Sequence, residues 1–313
     1  MDVPKYIYIC SAGHSGSTLL DLLIGSHSCI DSLGEIDQLS KNIALNTLCS
    51  CGMPVRSCSL WSEVVRRVGS QIGVNILSHP YDLHMGYPRA STVVDRSHQT
   101  ALYLAHRELI LGLLYVQLRT GASCLRFATG STVHAIDNNV RVFEAVREIL
   151  GTRAIVDSSK SYLKGVSLYL RHPDRVRILL LTRDGRAVLS SNLKRGQSRK
   201  QAILDWKGQY ERALPLLRRH VPAEHVLQVT YESLTADPRS TLRHICDFVG
   251  LPFEEEMLSF RSKPHHVANG NRMRSSESSE IRSDDAWRSR LTPEDLRYFE
   301  RKAGSLNREL GYS

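Results

Sequence analysis

The chain has 313 residues, 42% apolar and 23% charged, an ordinary globular composition able to bury a substantial core as one large domain or two modest ones. Its 41 Lys and Arg against 32 Asp and Glu leave a net charge of +9, which favours polyanionic partners. The basic residues are scattered apart from a crowd at Arg171, Arg175, Arg177, Arg183, Arg186 and Arg195; with no helix-turn-helix, zinc-finger or aromatic RNA-binding signature beside them, nucleic acid is not an expected partner.

In chain order, the first predicted strand is Tyr6–Cys10. It begins so early that no signal peptide is expected, and the odd count of seven cysteines suits a reducing compartment, so the expected location is cytoplasmic. A Gly and Ser loop follows, then a helix over Thr18–Ser26 and a strand over Cys29–Leu33. Residues 49–61 form a cysteine-rich loop, and 75–96 a connection containing Pro, Gly and Tyr. The helix predicted over Ser97–Thr120 holds the longest apolar block, Leu109–Leu118, which is too short to span a bilayer. Helix Val140–Leu150, strand Arg153–Asp157, helix Ser161–Arg171 and strand Val176–Thr182 come next. Helices Arg186–Lys194 and Arg199–Arg219 then precede strand Val226–Thr230. The polar segment Lys263–Asp285 reads as a mobile loop, and Thr292–Leu310 as a capped final helix with Pro293 at its first position. Strands alternating with helices imply an α/β fold with a central, mostly parallel sheet of about five strands. We read one domain with a helical insertion at about 40–150.

The chemistry-bearing signals lie where strands end. Gly13-His-Ser-Gly16-Ser-Thr18 follows a strand and opens a helix, an order that gathers N–H groups on one phosphate-sized spot. The G-x-x-x-x-G-K-[ST] loop of an ATP or GTP site carries a lysine that this loop lacks. A plain strand-to-helix turn is the alternative reading. Arg183 ends a buried strand, where ligands of parallel sheets bind, and Ser191 lies two turns down the next helix. Taken singly, Arg183 reads as a salt-bridge residue and Ser191 as an exposed one.

Together these segments resemble the 5′-phosphosulfate loop and 3′-phosphate motif of sulfotransferases that use 3′-phosphoadenosine 5′-phosphosulfate (PAPS), with the tyrosylprotein and bacterial branches nearest. The family loop [RK]-x-G-[ST]-[ST] reads His14-Ser-Gly-Ser-Thr18, and R-D-x-R-x-x-x-x-S is met by Arg183, Asp184, Arg186 and Ser191. Leu33-Gly-Glu35 resembles the segment carrying the general base, and Val156-Asp-Ser-Ser-Lys160 the element whose lysine approaches the sulfonate. Val229-Thr-Tyr231-Glu-Ser-Leu resembles a segment beside the adenosine. Gly270-Asn-Arg-Met-Arg274, with Trp287 beyond it, resembles the late loop over the 3′-phosphate. The resemblance runs from Lys5 to about Leu291.

It implies a P-loop-like three-layer α/β/α fold and in-line sulfuryl transfer from PAPS to an acceptor hydroxyl or amine, leaving adenosine 3′,5′-bisphosphate. Glu35 would be the base and Lys160 the cation at the bridging oxygen; otherwise they are a helix-start acid and a helix-start lysine. Gly13, His14, Ser15, Gly16, Ser17 and Thr18 would hold the 5′-phosphate, and Arg183, Ser191, Arg195, Arg272 and Arg274 the second phosphate, with Tyr231 near the adenosine. No metal is expected for the transfer, since the moving group carries less charge than a phosphoryl group. His14 departs from the family's permanent cation and is mostly neutral near pH 7 unless a phosphate raises its pKa. The alternatives are a P-loop NTPase or small-molecule kinase, which the missing lysine disfavours, and a non-catalytic nucleotide-binding module.

The C-x-C-x6-C cluster of Cys49, Cys51 and Cys58 lacks a nearby fourth cysteine. His79 or His84 could complete a metal site only by folding back; a disulfide or redox pair and simple loop packing are the other readings. His265 and His266 read as solvated. The apolar face of Leu102–Leu118 reads as core or as contact with a second copy of the chain. Nothing in the sequence identifies the acceptor.

Overall fold

Five parallel strands form one sheet in the order β2-β3-β1-β4-β5, with β1 at Tyr6–Ser11, β2 at Ile30–Ser32, β3 at Ala154–Lys160, β4 at Val176–Thr182 and β5 at Val226–Thr230. The computed structural model describes residues 3–86, 101–121, 126–261, 263–275 and 278–313, and of 101–107, 126–132, 272 and 275 the backbone only. β1 and β4 are buried along their whole length, which is why they read as unbroken apolar runs rather than alternating ones. Alternation survives in three dimensions. Tyr6, Tyr8, Ile178 and Leu180 face one layer, and Ile7, Ile9, Leu179 and Leu181 face the other.

The second layer is α1 (Ser17–Gly25) with helices introduced below; the first begins with an insertion between β2 and β3. That insertion contains α2 (Leu39–Leu45), α3 (Ser59–Ile72), α4 (Ala101–Thr120) and α5 (Arg126–Leu150). The remaining helices are α6 (Tyr162–Arg171), α7 (Gly185–Leu193), α8 (Arg199–His220), α9 (Tyr231–Ala236), α10 (Pro238–Val249), α11 (Trp287–Arg290) and α12 (Pro293–Glu309). Trp61 of α3, Phe143 of α5 and Trp206 and Tyr210 of α8 fill the first layer; Leu20 and Leu23 of α1 and Leu242 of α10 fill the second. Each fully buried Leu or Ile stabilises the fold by roughly 1.5–3 kcal/mol, enough in aggregate to hold strained residues at the sheet edge.

Strands β4 and β5 match the predicted limits, and α5 starts well before the expected Val140. β3 runs on to Lys160 because it takes a bulge: Tyr8 pairs with Asp157 and Cys10 with Lys160, so β3 has one residue more than β1. Helices α3 and α10 were not expected. The start of α3 overlaps the cysteine-rich stretch; α10 has Asp237 accepting from Ser240 N–H and Pro238 in its first turn. Residues 97–100 of the helix expected over Ser97–Thr120, and 87–96 of the 75–96 connection, lie outside the described residues. On α4, Ile110 and Leu114 are buried while Leu109 and Val116 are exposed. Among the described residues no helix is long and apolar enough to cross a membrane.

The chain runs from β1 toward β2 on one side and later adds β4 and β5 on the other. The switch point therefore falls beside β1, and the carboxyl ends of β1, β3 and β4 open onto one crevice.

Candidate active site

The crevice is a cleft of about 780 Å³, within the range of small-ligand pockets. Its floor is the β1–α1 loop. Gly16 caps α1 in the left-handed region at φ 88°, and a Cβ there would stand 2.4 Å from the Tyr231 ring, so only glycine fits. Helix geometry leaves the N–H groups of Ser17, Thr18 and Leu19 without intrahelical acceptors, and all three residues line the cleft with Gly13, His14 and Gly16. The loop is anchored from below by Tyr210, whose hydroxyl donates to Leu181 O (2.9 Å) and accepts from Ala12 N–H (3.2 Å). Ser15 departs from expectation: its buried hydroxyl lies 3.4 Å from Tyr210 Oη, facing the core instead of the cleft. His14 is itself left-handed, at φ 63°. Burial, then the positive charges of Arg195, Lys160 and Arg183, hold its imidazole below its ordinary pKa.

One wall carries Glu35 and Lys160. Gly34 is left-handed at φ 67° and a Cβ on it would meet Asn269 O at 2.4 Å, so the chain turns tightly into Glu35, whose N–H donates to that same carbonyl (3.3 Å). Lys160 ends the bulged β3 at φ 74°, a conformation uncommon for a residue with a Cβ. Its carbonyl accepts from Gln209 Nε2 at 3.0 Å, and its ammonium forms an ion pair with Glu35 Oε1. It does not start the next helix, which begins at Tyr162. Beneath this pair Lys164 is fully buried between Asp37 and Asp157, 2.8 Å from the latter. Burial raises Asp37 to about 6, against the pull of Lys164. Asp157 also takes the Ser159 N–H (2.8 Å) and hydroxyl (2.6 Å), so the aspartate of the Asp157-to-Lys160 element braces the wall from inside.

At the other end Arg183 follows β4 and is only 6% exposed. Its guanidinium donates to His14 O (3.0 Å) and to both the carbonyl and Oδ2 of Asp284 (3.1 Å each), and lies 4.2 Å over the Tyr231 ring. Its buried Nε has no hydrogen-bond partner among the described residues. Asp184 caps α7 by accepting from Arg186 N–H and pairs with the Arg186 side chain, which lies over Trp287. Ser191 and Arg195 line the same end of the cleft, and neither side chain has a hydrogen-bond or ionic partner among the described residues.

Tyr231 sits between Gly16 and Arg183 and donates its hydroxyl to Arg282 O (3.1 Å). Arg274 departs from expectation. Its Nη1 donates to Leu48 O (2.8 Å) and Val267 O (3.0 Å), which turns the guanidinium away from the cleft, so Asn271, Met273 and Arg282 form that rim instead. The side chain of Arg272 lies outside the described residues. His265 and His266 are not solvated: His265 is buried with Nε2 2.9 Å from Phe260 O, and His266 faces the cysteine cluster. Tyr210, Lys164 and Asp284 were missed. Only the burial of Tyr210 within the α8 apolar stripe had a local signal in the sequence.

Residues 122–255 match a family model described as the Sulfotransferase family. Among solved structures the chain is similar to the sulfotransferase domain of the olefin synthase of Synechococcus PCC 7002, at 20% identity over 100% of this chain and 97% of that one, with a TM-score of 0.57. It is also similar to the sulfotransferase domain from the curacin biosynthetic pathway, at 18% identity over 100% and 99% of the two chains, with a TM-score of 0.50. A comparison with curated proteins yields no match.

Proposed function

We propose that this chain is a sulfotransferase, in line with the family model that matches residues 122–255, and that it moves a sulfuryl group from PAPS to an acceptor hydroxyl or amine through Glu35 and Lys160. The observation that carries the reading is that the Glu35–Lys160 pair shares one cleft with the α1 N-terminus and with Arg195 and Ser191, whose side chains have no partner among the described residues. A donor with two separated phosphate positions fits these groups. The loop N–H groups and helix dipole suit one anion. Arg183, with an unsatisfied buried Nε, Ser191 and Arg195 suit the other.

PAPS would supply an activated sulfonate whose transfer leaves adenosine 3′,5′-bisphosphate. Lys160 holds a positive charge beside the loop, where charge grows on the departing oxygen. Glu35 holds the position from which an acceptor O–H or N–H proton can be taken as the new bond to sulfur forms. Their ion pair holds the two side chains against each other until an anion in the loop competes for the ammonium. That competition leaves a Glu35 oxygen free to accept the proton. His14, neutral before the anion binds, serves as a hydrogen-bond donor to it, and Gly34 and the Lys164 cluster keep Glu35 and Lys160 in place.

The test is transfer of labelled sulfate from PAPS into a metabolite extract by the wild-type chain, Glu35→Gln and Lys160→Ala. Labelled product from the wild type and a loss of about 100-fold or more in each variant is expected. Product persisting equally in both variants would overturn the assignment of Glu35 and Lys160. Magnesium-dependent ATP or GTP turnover in place of sulfate transfer would return the P-loop NTPase.

A further inference from the structure

We propose that Cys49, Cys51, Cys58 and His266 bind a zinc ion that pins the late loop to the helical insertion. In sequence the three cysteines are one ligand short; the fold supplies the fourth from 208 residues beyond Cys58. One donor atom from each of the four residues lies within 4.8 Å of all the others. Cys51 Sγ is 3.7 Å from Cys58 Sγ, and Cys58 Sγ is 3.2 Å from His266 Nδ1. Zinc bonded to sulfur at about 2.3 Å and nitrogen at about 2.0 Å in a tetrahedron sets donors roughly 3.5–3.8 Å apart, so the four atoms need only small shifts to surround it. Thiolate and imidazole donors without a carboxylate select zinc over magnesium or calcium.

The backbone is shaped for this. Gly52 N–H donates to Cys49 O (3.0 Å), Cys49 N–H donates to Met53 O (2.8 Å), and Leu48 pairs with Pro54, which folds Cys49 to Cys51 into a knuckle. Gly52 takes the left-handed φ of 85° that the turn requires. Cys58 is the N-cap residue of the 14-residue helix α3, where the dipole favours a thiolate. Trp61 Nε1 donates to His266 O at 2.8 Å and fixes the backbone behind the imidazole. All three cysteines are free thiols, and a disulfide between any two would strand the third beside the histidine.

The site's consequence is positional. Ser50 N–H donates to Val267 O (3.0 Å), its hydroxyl donates to His265 O (2.6 Å), and it accepts from Val267 N–H (2.8 Å), so the knuckle and the late loop are already stitched beside the ion. Two residues on, Asn269 O takes the Glu35 N–H, and Asn271 N–H reaches Thr18 Oγ1. The ion would therefore hold the rim of the cleft and the backbone of Glu35 without touching a reacting atom. The metal assignment stands apart from the sulfuryl-transfer reading; only its effect on turnover rests on that reading.

The test uses the full chain purified without chelator from zinc-supplemented medium. Elemental analysis should find close to one zinc per chain, and X-ray absorption should show three sulfur and one nitrogen neighbours at the zinc. Cys58→Ser and His266→Ala should each lose most of the metal, while Cys29→Ser should keep it. Cobalt loaded in place of zinc should give thiolate charge-transfer and tetrahedral ligand-field absorption, which Cys58→Ser abolishes. Metal-free wild type under these conditions, full metal content in His266→Ala, or two fewer free thiols than the seven cysteines in the unreduced, denatured chain would each overturn the proposal. If the site is right and the proposed function wrong, zinc is found and sulfate transfer is not.

Discussion

Two of the cations that line the cleft are neutralised in different ways. Lys160 pairs with Glu35, and both stand on the framework, one at the end of bulged β3 and the other on the tight turn after β2. Arg183 also stands on the framework, but its acid, Asp284, comes from the segment before α11 and has a half-exposed side chain. The first pair joins two groups that the proposed reaction needs in sequence, so it is built to be exchanged within the site. The second covers a cation that a nucleotide phosphate would need, so under the proposed function Asp284 would be a stand-in anion for the ligand to displace. An ion pair with one half-exposed partner contributes little, and displacement is correspondingly easy.

The largest expected effect breaks the first pair. Lys160→Ala should lower kcat by about 10²–10³, and the Glu35→Gln/Lys160→Ala double variant should be hardly worse than the poorer single one, because the two act as a unit. Multiplicative losses in single-turnover measurements would separate their roles. Next, Arg183→Ala should weaken adenosine 3′,5′-bisphosphate by about 10–100-fold, the loss of charge-assisted bonds worth about 1.5–3 kcal/mol. Calorimetry giving equal affinity for variant and parent would remove Arg183 from the phosphate site.

Asp284→Asn sharpens the contrast from the other side. It should tighten the same ligand by a few-fold, on the order of the 0–1 kcal/mol of an exposed pair, and an unchanged or weaker affinity would make Asp284 part of the binding surface. The smallest effect concerns His14. Its pKa is held below 6.5 by burial and by Arg195, Lys160 and Arg183; a bound anion raises it, so binding takes up a proton and affinity improves as pH falls toward the free-state value. The phosphates titrate as well, so the readout is the difference from His14→Arg, which should bind a few-fold tighter near pH 7.5 and lack the His14 contribution. Parallel pH profiles for the two proteins would leave His14 without a role in anion binding.

Much of the framework was legible because it is local. The apolar runs of β1 and β4, the Gly16-Ser-Thr18 transition into α1, and Arg183 at a strand's carboxyl end are read within single short segments. The length of α5 and the existence of α3 and α10 were missed where turn or cysteine signals competed with the helical period, although Leu60, Val64 and Val68 carry that period. The placement of Arg274 was not legible for another reason: a basic residue near a phosphate motif is attractive on charge alone, but its guanidinium donates to the carbonyls of Leu48 and Val267.

What the sequence determined by itself was the order of the strands and of the helices that follow β1, β3 and β4, the phosphate-type loop without a lysine, and the residues at strand ends that line the cleft, because periodicity, turn chemistry and strand termini are properties of neighbouring residues. Only the tertiary structure decided that Glu35 pairs with Lys160, that Asp284 covers Arg183, and that His266 completes the cysteine cluster. Those partners lie about a hundred residues apart or more, and no local propensity encodes a distance that depends on how the whole sheet and its insertion close.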